Sequence, residues 1–123
     1  MALIRLTLPA DLPPIPPKIS AFIADAQARI EAFIQSRLNE PIHSFVPSDF
    51  PLVYGALRHV AEEHLAPGPL FCEWGSGAGV VTCLAAMLGF EACGIEVEGD
   101  LVDLAVALAR RHHVRAGFCL GNF

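Results

Sequence analysis

The stretch that decides the fold is Phe71-Cys72-Glu73-Trp74-Gly75-Ser76-Gly77-Ala78-Gly79. The run Leu70 to Cys72 is apolar, and the segment after the glycines, Val80 to Leu88, is apolar at nearly every position and ends at Gly89. This pattern predicts a buried strand, a tight turn and a helix. Alternate glycines let bare backbone approach a ligand, and the helix that follows directs its free N–H groups to the same place. The stretch therefore predicts a site for a nucleotide-like ligand.

The alternation of strand and helix continues downstream of this turn. Ala92 to Val97 and Val114 to Leu120 are two further apolar runs, and a helix is predicted between them, from about Gly99 to His112. Three strands alternating with two helices are typical of a parallel sheet with right-handed crossovers. The fold class predicted is α/β.

Upstream of the first strand the pattern is helical. Apolar residues recur at helical spacing from Pro17 to Leu38, which predicts one amphipathic helix. The proline-containing stretch Asn39 to Pro51 is predicted to be a loop. Ser48 or Asp49 is placed to cap a second helix, which is expected from Phe50 to Leu65.

The amino-terminal residues form a predicted tether. Residues 9–17 contain five prolines, which indicates an extended segment, and Ile4 to Leu8 alternates apolar and polar residues, which is a weak strand signal. The predicted organisation has three parts: a Pro-rich extended arm at 1–18, a helical extension at 19–66 and an α/β unit at 67–123.

Composition narrows the class of protein. With 123 residues, of which 54% are hydrophobic and 17% charged, the chain is expected to fold as one domain with more apolar surface than it can hide, so that a partner or a missing half would be needed. The formal net charge of −5 does not indicate nucleic-acid binding. The longest weakly polar run, Ala78 to Phe90, is shorter than the ~18 residues that a membrane span needs, so no membrane association is expected.

The cysteines predict a reducing location. Their spacing includes no C-x-x-C pair, so they are expected to be buried and to hold no metal, and the amino terminus is too short and too rich in proline for a signal peptide. These features predict a cytoplasmic protein without a metal site. The cysteines are Cys72, Cys83, Cys93 and Cys119.

The glycine pattern separates two classes of nucleotide site. The dinucleotide fingerprint G-x-G-x-x-G does not fit, because Val80 stands where the third small residue is needed and Gly79 comes one place early. The segment resembles motif I of the class I (Rossmann-like) S-adenosylmethionine-dependent methyltransferases, an acidic residue followed by G-x-G-x-G. The residues that carry the resemblance are Glu73, Gly75, Gly77 and Gly79.

This resemblance, which covers residues 48–123, implies a cofactor and a set of contacts. S-adenosyl-L-methionine is the implied cofactor, with its methionine part wrapped by the loop, Ser76 included, and its ammonium group positioned by Glu73. A carboxylate at the end of the next strand can accept hydrogen bonds from both ribose hydroxyls, and Glu96 stands there. The family commonly places the next residue, here Val97, against the adenine. At the end of the third strand Asn122 replaces the usual Asp toward the adenine amino group.

The resemblance also implies that the sheet is partial. Class I enzymes have seven strands ordered 3-2-1-4-5-7-6, and the chain supplies the first three, in the order 3-2-1. The fourth strand, which usually carries catalytic or substrate-contacting residues, is absent, so neither a catalytic residue nor the methyl acceptor can be named. The strand at Leu70 to Trp74 is then an open edge. We expect it to be covered by the rest of a longer enzyme, by self-association with another copy, or by the arm at Ile4 to Leu8.

Other interpretations remain open from the sequence. The glycines could form a tight turn without a ligand, Glu73 could be a strand-end carboxylate satisfied by nearby N–H groups, and Glu96 could be a solvated acid at a helix start. Asn122 could be a plain terminal residue. The alternative functions are a non-catalytic S-adenosylmethionine-binding relic or regulatory module, and a divergent nucleotide-binding oxidoreductase.

Overall fold

The computed structural model describes residue 3 and residues 5–122. Its helices and strands fall close to the predicted positions. In chain order they are α1 (Pro17–Ser36), α2 (Phe50–Glu62), β1 (Leu70–Trp74), α3 (Val80–Met87), β2 (Glu91–Glu96), α4 (Gly99–Arg111) and β3 (Ala116–Leu120). The N-cap of α2 is Asp49, whose side chain accepts the Leu52 N–H at 3.1 Å.

The strands form a parallel sheet with β2 in the centre, in the order β1-β2-β3. This is the predicted order 3-2-1 read from the other edge, so the α/β fold class and the strand order are confirmed. Cys72 lies opposite Cys93, and Gly94 lies opposite Phe118. The carboxyl ends of β1 and β2 therefore stand side by side, which brings Glu73 and Glu96 to the same edge of the sheet.

The two faces of the sheet differ sharply in burial. Because side chains alternate along a strand, every second residue of β2 faces α3 and α4, and Ala92, Gly94 and Glu96 are buried there. The opposite face bears Leu70, which is 76% exposed, and Trp74, which is 69% exposed. No element of the described part of the chain covers this second face.

The cysteines follow this division. Cys83 is buried in α3 as expected, and Cys93 is half-buried. The expected burial is wrong for Cys72 and Cys119, because both lie exposed on the uncovered face of the sheet. Among the residues described, no group of three or more potential ligands could hold a metal ion.

Helix α1 is joined to the end of α4 through one carboxylate. Asp25 accepts hydrogen bonds from Arg29 at 3.1 Å and from Arg111 at 3.0 Å. Its carboxylate also contacts the His112 ring nitrogen at 2.6 Å. These partners, His112 foremost, lower the pKa of Asp25 to about 2. The first helix is therefore attached to the α/β unit by charge as well as by its apolar face, on which Phe22 is almost fully buried.

The amino-terminal arm lies along α2. The buried Arg58 guanidinium donates to the backbone carbonyls of Pro13 and Pro14, and the Leu12 side chain packs over Gly55. The strand predicted for Ile4 to Leu8 is not formed at residues 5–8, whose backbone pairs with no strand, while Ile4 lies outside the described residues. The described arm thus packs on a helix and leaves the edge of β1 uncovered.

The part of the chain that the structure describes contains no helix long and apolar enough to cross a bilayer. The apolar run Ala78 to Phe90, weighed above as a span, contains the eight-residue helix α3. This helix packs against β1 and β2 on one side and α2 on the other.

Gly79 allows α3 to lie close to the sheet, and we predict that replacing it with alanine destabilises the fold. The backbone at Gly79 has φ +77°, and a Cβ there would lie 2.5 Å from the Phe118 ring and 2.6 Å from the Cβ of Ala105. Left-handed strain and overpacking together should lower the free energy of unfolding by about 2–5 kcal/mol. Denaturant unfolding of Gly79→Ala without ligand measures this loss.

Gly89→Ala is the matched control. Gly89 also has a positive φ, +98°, but nothing lies within 4 Å of the position of its Cβ. Only the backbone strain of about 1–2 kcal/mol is expected there. Equal losses in the two variants would show that close packing at Gly79 contributes nothing.

Candidate cofactor-binding site at the glycine loop

The loop between β1 and α3 has the left-handed backbone that its glycines permit. Gly75, Gly77 and Gly79 have φ values of +72°, +53° and +77°. Residues with a side chain rarely adopt such values, so the glycines are required by the path of the chain itself. Gly79, the last of them, is the N-cap of α3.

Most backbone N–H groups of this loop are already bonded within the protein. The N–H groups of Gly75 and Ser76 both donate to the Ile95 carbonyl, at 2.8 and 3.0 Å, and the Gly79 N–H donates to the Ser76 carbonyl at 2.8 Å. The Gly77 N–H donates to the Glu96 carboxylate at 2.8 Å. A phosphate cradle needs several such groups turned outward, and here they are turned inward.

Glu73 satisfies the start of α3 from the end of β1. One of its oxygens, Oε2, accepts both the Thr82 N–H at 3.0 Å and the Thr82 hydroxyl at 2.6 Å. The expectation that the helix directs free N–H groups at the ligand is therefore wrong at Thr82, because a carboxylate of the protein occupies that position. Burial raises the pKa of Glu73, the hydrogen bonds from Thr82 offset part of this rise, and the neighbouring Glu96 adds to it.

Glu96 ties the end of β2 to the loop. Its Oε2 accepts the Gly77 N–H, and its Oε1 accepts the N–H groups of Val97 at 2.9 Å and of Glu98 at 3.1 Å. The side chain is buried, with 8% exposed. Glu96 is thus a buried, hydrogen-bonded carboxylate, which excludes the alternative that it is a solvated acid at the helix start.

A cavity of about 270 Å³ opens at the carboxyl ends of the strands, where ligands bind in open α/β sheets. Its volume lies just below the ~300–1,000 Å³ typical of small-molecule sites. Most of the predicted site residues line it: Glu73, Gly75, Ser76, Gly77, Glu96, Val97 and Asn122.

Gly79 is the predicted site residue that stands apart. Its Cα faces Phe118 and Ala105, so this glycine serves the packing of α3 on the sheet. Ser76 reaches the cavity wall, although its hydroxyl is buried, has no hydrogen-bond partner among the described residues and packs over Gly94. Val97 stands at the wall with 58% of its surface exposed, which leaves an apolar patch for a flat ligand group to cover.

Sequence reasoning missed the opposite wall of the cavity. This wall comes from α1 and from the loop that follows it: Ile30, Ile42, Ser44, Phe45, Val46, Pro47 and Ser48. The loop was predicted only as a connection between two helices. Its one sequence signal is a hydrophobic pair, Phe45 and Val46, between polar residues, and such a pair does not identify what it covers.

The charge of the cavity is one-sided. Glu73 and Glu96 both line it, and none of its lining residues, all of which lie in the described ranges, is basic. An anionic ligand would have to approach two carboxylates without a compensating cation, whereas a cationic group is favoured there. The arrangement therefore suits a ligand that carries positive charge.

Comparison with known sequences finds methyltransferases. The ribosomal protein L11 methyltransferase of Thermus thermophilus is 29% identical over 96 residues, which are 67% of this chain and 38% of that enzyme. The enzyme of the same name from Cupriavidus taiwanensis is 33% identical over 60 residues, which are 48% of this chain and 20% of that enzyme. No family model matches the chain.

Solved structures give the same result. An RNA methyltransferase from Salinibacter ruber, in complex with S-adenosyl-L-homocysteine, aligns with a TM-score of 0.54 and 29% identity over 63% of this chain and 50% of that one. An O-methyltransferase from Bacillus cereus, in complex with the same compound, shares the fold at 15% identity, with a TM-score of 0.56 over 89% of this chain and 45% of that one.

These matches show which proteins the chain resembles and how much of their length it spans. The chain spans half or less of the length of each of these four proteins. The predicted cofactor, S-adenosyl-L-methionine, is confirmed for the family by the bound product in two of the structures. In sequence and in fold, the chain is similar to S-adenosylmethionine-dependent methyltransferases, and it has the three-stranded parallel sheet and flanking helices of a Rossmann-like fold.

Proposed function

We propose that this chain binds S-adenosyl-L-methionine at the glycine loop and serves methyl transfer from it. The observation that carries the proposal is the inward bonding of the loop amides beside two buried carboxylates. S-adenosylmethionine contains an ammonium, a sulfonium and a carboxylate group, so it carries a net positive charge, and it has no phosphate that would require a cluster of outward amides. The pyrophosphate of a dinucleotide needs backbone N–H groups turned toward it at the start of the helix, which argues against the oxidoreductase alternative.

The ammonium group, the ribose and the adenine of the cofactor each have a candidate partner in the cavity. Glu73 uses Oε2 for Thr82, and Oε1 is proposed to receive the ammonium group. Glu96 already accepts three N–H groups, out of about four positions that a carboxylate offers, so a ribose hydroxyl can bond to Oε2 without displacing them. Val97 is proposed to lie against the adenine, and Asn122 to accept from its amino group. When bound, the sulfonium supplies an activated methyl group.

A protein is the acceptor class that the charges favour. The curated relatives are named for a ribosomal protein, and the formal net charge of −5 suits a basic protein better than a phosphate backbone. RNA is the second candidate, because the Salinibacter ruber enzyme, which is 29% identical, is an RNA methyltransferase. A module that binds the cofactor without transferring methyl is the third.

Two further expectations stand as proposals. All four cysteines are free thiols, which supports a reducing, cytoplasmic location. Self-association through the edge at β1 is supported by the exposed Leu70 and Trp74 beside it, since an open edge with apolar neighbours favours pairing.

The cofactor proposal predicts a selective titration. In isothermal calorimetry the full chain should bind S-adenosylmethionine and S-adenosylhomocysteine, and NAD should give no heat of binding. Glu96→Gln should weaken binding about tenfold, because an amide replaces a charged acceptor, and Gly77→Val should abolish it, because the side chain enters the cavity wall. Equal binding of NAD, or no binding of either adenosyl compound by the unaltered chain, contradicts the proposal.

The role proposed for Glu73 predicts a pH dependence. The pKa of Glu73 is raised above 4.5, and only the ionised carboxylate attracts an ammonium group, so affinity should fall as pH decreases through that raised pKa. Without cofactor the sign for stability is opposite: the folded state holds this proton longer than the unfolded state, so ionisation of Glu73 costs stability as pH rises.

Glu73→Gln separates the two roles that the sequence left open. Its amide oxygen can still accept both hydrogen bonds from Thr82, so the start of α3 stays satisfied. If Glu73 positions the ammonium group, this variant binds S-adenosylmethionine more weakly and loses the fall in affinity that ends below the raised pKa of Glu73. If Glu73 serves α3 alone, the titration curves of the variant and the unaltered chain coincide.

The acceptor proposal predicts where a labelled methyl group goes. The full chain, incubated with methyl-labelled S-adenosylmethionine, ribosomal proteins and ribosomal RNA, should label the protein fraction. Label in the RNA fraction would instead support the second candidate. Binding in calorimetry with no label in either fraction would favour the binding-only module. Gly77→Val is the control, because it should neither bind nor label.

A further inference from the structure

A series of side-chain contacts holds the wall of the cavity that is formed by α1 and the loop after it. The edge of the Phe45 ring lies over Gly77, where a Cβ would stand 3.0 Å from Cε1. Phe45 in turn packs edge-to-face on Phe33 of α1, with ring centroids 6.3 Å apart and an interplanar angle of 84°. The guanidinium of Arg37 stacks on the other ring of this pair, 5.5 Å from the Phe33 centroid.

This series of contacts continues from Arg37 to the start of α4, close to the end of β2. Arg37 forms an ion pair with Asp100, in the first turn of α4. That turn follows directly on Glu96, which holds Gly77. The contacts therefore run from Gly77 through two aromatic rings, an arginine and an aspartate back to the turn after the strand end that binds Gly77.

We propose that this ring of contacts is a brace that sets the cofactor's residence time, with Phe45 as a binding residue and Phe33, Arg37 and Asp100 as positioning residues. The inference rests on the proposed binding of S-adenosylmethionine in this cavity. Phe45 offers an aromatic wall opposite two carboxylates, which suits a cationic ligand. The other three residues act through Phe45, since none of them lines the cavity.

The solvent exposure of the Arg37–Asp100 ion pair indicates how much this pair contributes to the stability of the fold. The Arg37 and Asp100 side chains are 25% and 63% exposed, and such pairs contribute little to global stability. Their effect should therefore be seen in ligand dissociation while unfolding changes little. Arg37 is also the C-cap of α1, and its Nε donates to the Glu40 carbonyl at 3.4 Å.

The test compares binding constants of full-chain variants for S-adenosylmethionine, with dissociation rates from stopped-flow fluorescence. Phe45→Ala should raise Kd about tenfold, and Arg37→Ala about threefold to fivefold, mostly through faster dissociation. Arg37→Lys should recover part of the loss. The exchange of charges in Arg37→Asp with Asp100→Arg should bind more tightly than either single variant but less tightly than the unaltered chain, because it restores the ion pair and not the stacking of a guanidinium on Phe33.

Matched controls come from outside the brace. Arg29 on α1 is also paired with a carboxylate, and Phe90 also packs on another ring, Phe71 at 6.2 Å. Arg29→Ala and Phe90→Ala should leave Kd within twofold of the unaltered chain. Should Phe45→Ala fail to fold, Phe45→Leu keeps the apolar volume and removes the aromatic wall.

The outcomes separate this inference from the function it rests on. No binding by the unaltered chain overturns the proposed function itself. Normal binding that Phe45→Ala (or Phe45→Leu) and Arg37→Ala leave unchanged overturns the brace alone. Equal weakening by Arg29→Ala and Arg37→Ala also overturns it, because the effect would then be a general loosening of α1.

Discussion

The carboxylate of Glu96 is the constraint on which the site depends. It is buried at the end of the central strand and accepts N–H groups from both sides, from Gly77 in the loop after β1 and from Val97 and Glu98 in the turn after β2. A buried carboxylate is tolerated only when such donors surround it. The loop and the turn are therefore held at a fixed separation before any ligand arrives, and the cavity between them is preformed.

This use of Glu96 and Glu73 also decides the chemistry of the cavity. Each carboxylate satisfies backbone groups that would otherwise be turned toward an anion. The same hydrogen bonds therefore occupy N–H groups that a phosphate would need and place two negative charges at the cavity. Two carboxylates and few free amides favour a cationic ligand, such as the proposed sulfonium compound, over a phosphate.

The sequence was sufficient to predict the helices and strands, and to predict the wall of the site that is formed by the glycine loop and the ends of β1 and β2. Periodicity and caps located all of the helices and strands of the described chain, because the apolar pattern and the burial agree at residues such as Leu101 and Leu108. Motif spacing brought Glu73, Gly77 and Glu96 together. It did not distinguish Gly79, whose backbone resembles that of Gly77 but whose neighbours are Phe118 and Ala105, since spacing carries no information about which side of a loop meets the core.

The second wall was not predictable for a different reason. Phe33 and Phe45 meet across a loop, and Arg37 reaches a residue 63 positions away, so no periodic pattern relates them. The predicted boundary at residue 66 was placed where the composition of the sequence changes. Contacts continue across this boundary, because α1 and its loop build the cavity together with the strands. A helix that contributes Ile30 to a cofactor cavity and Asp25 to the end of α4 cannot move independently of the sheet without opening the site. Residues from both sides of the predicted boundary therefore line one cavity.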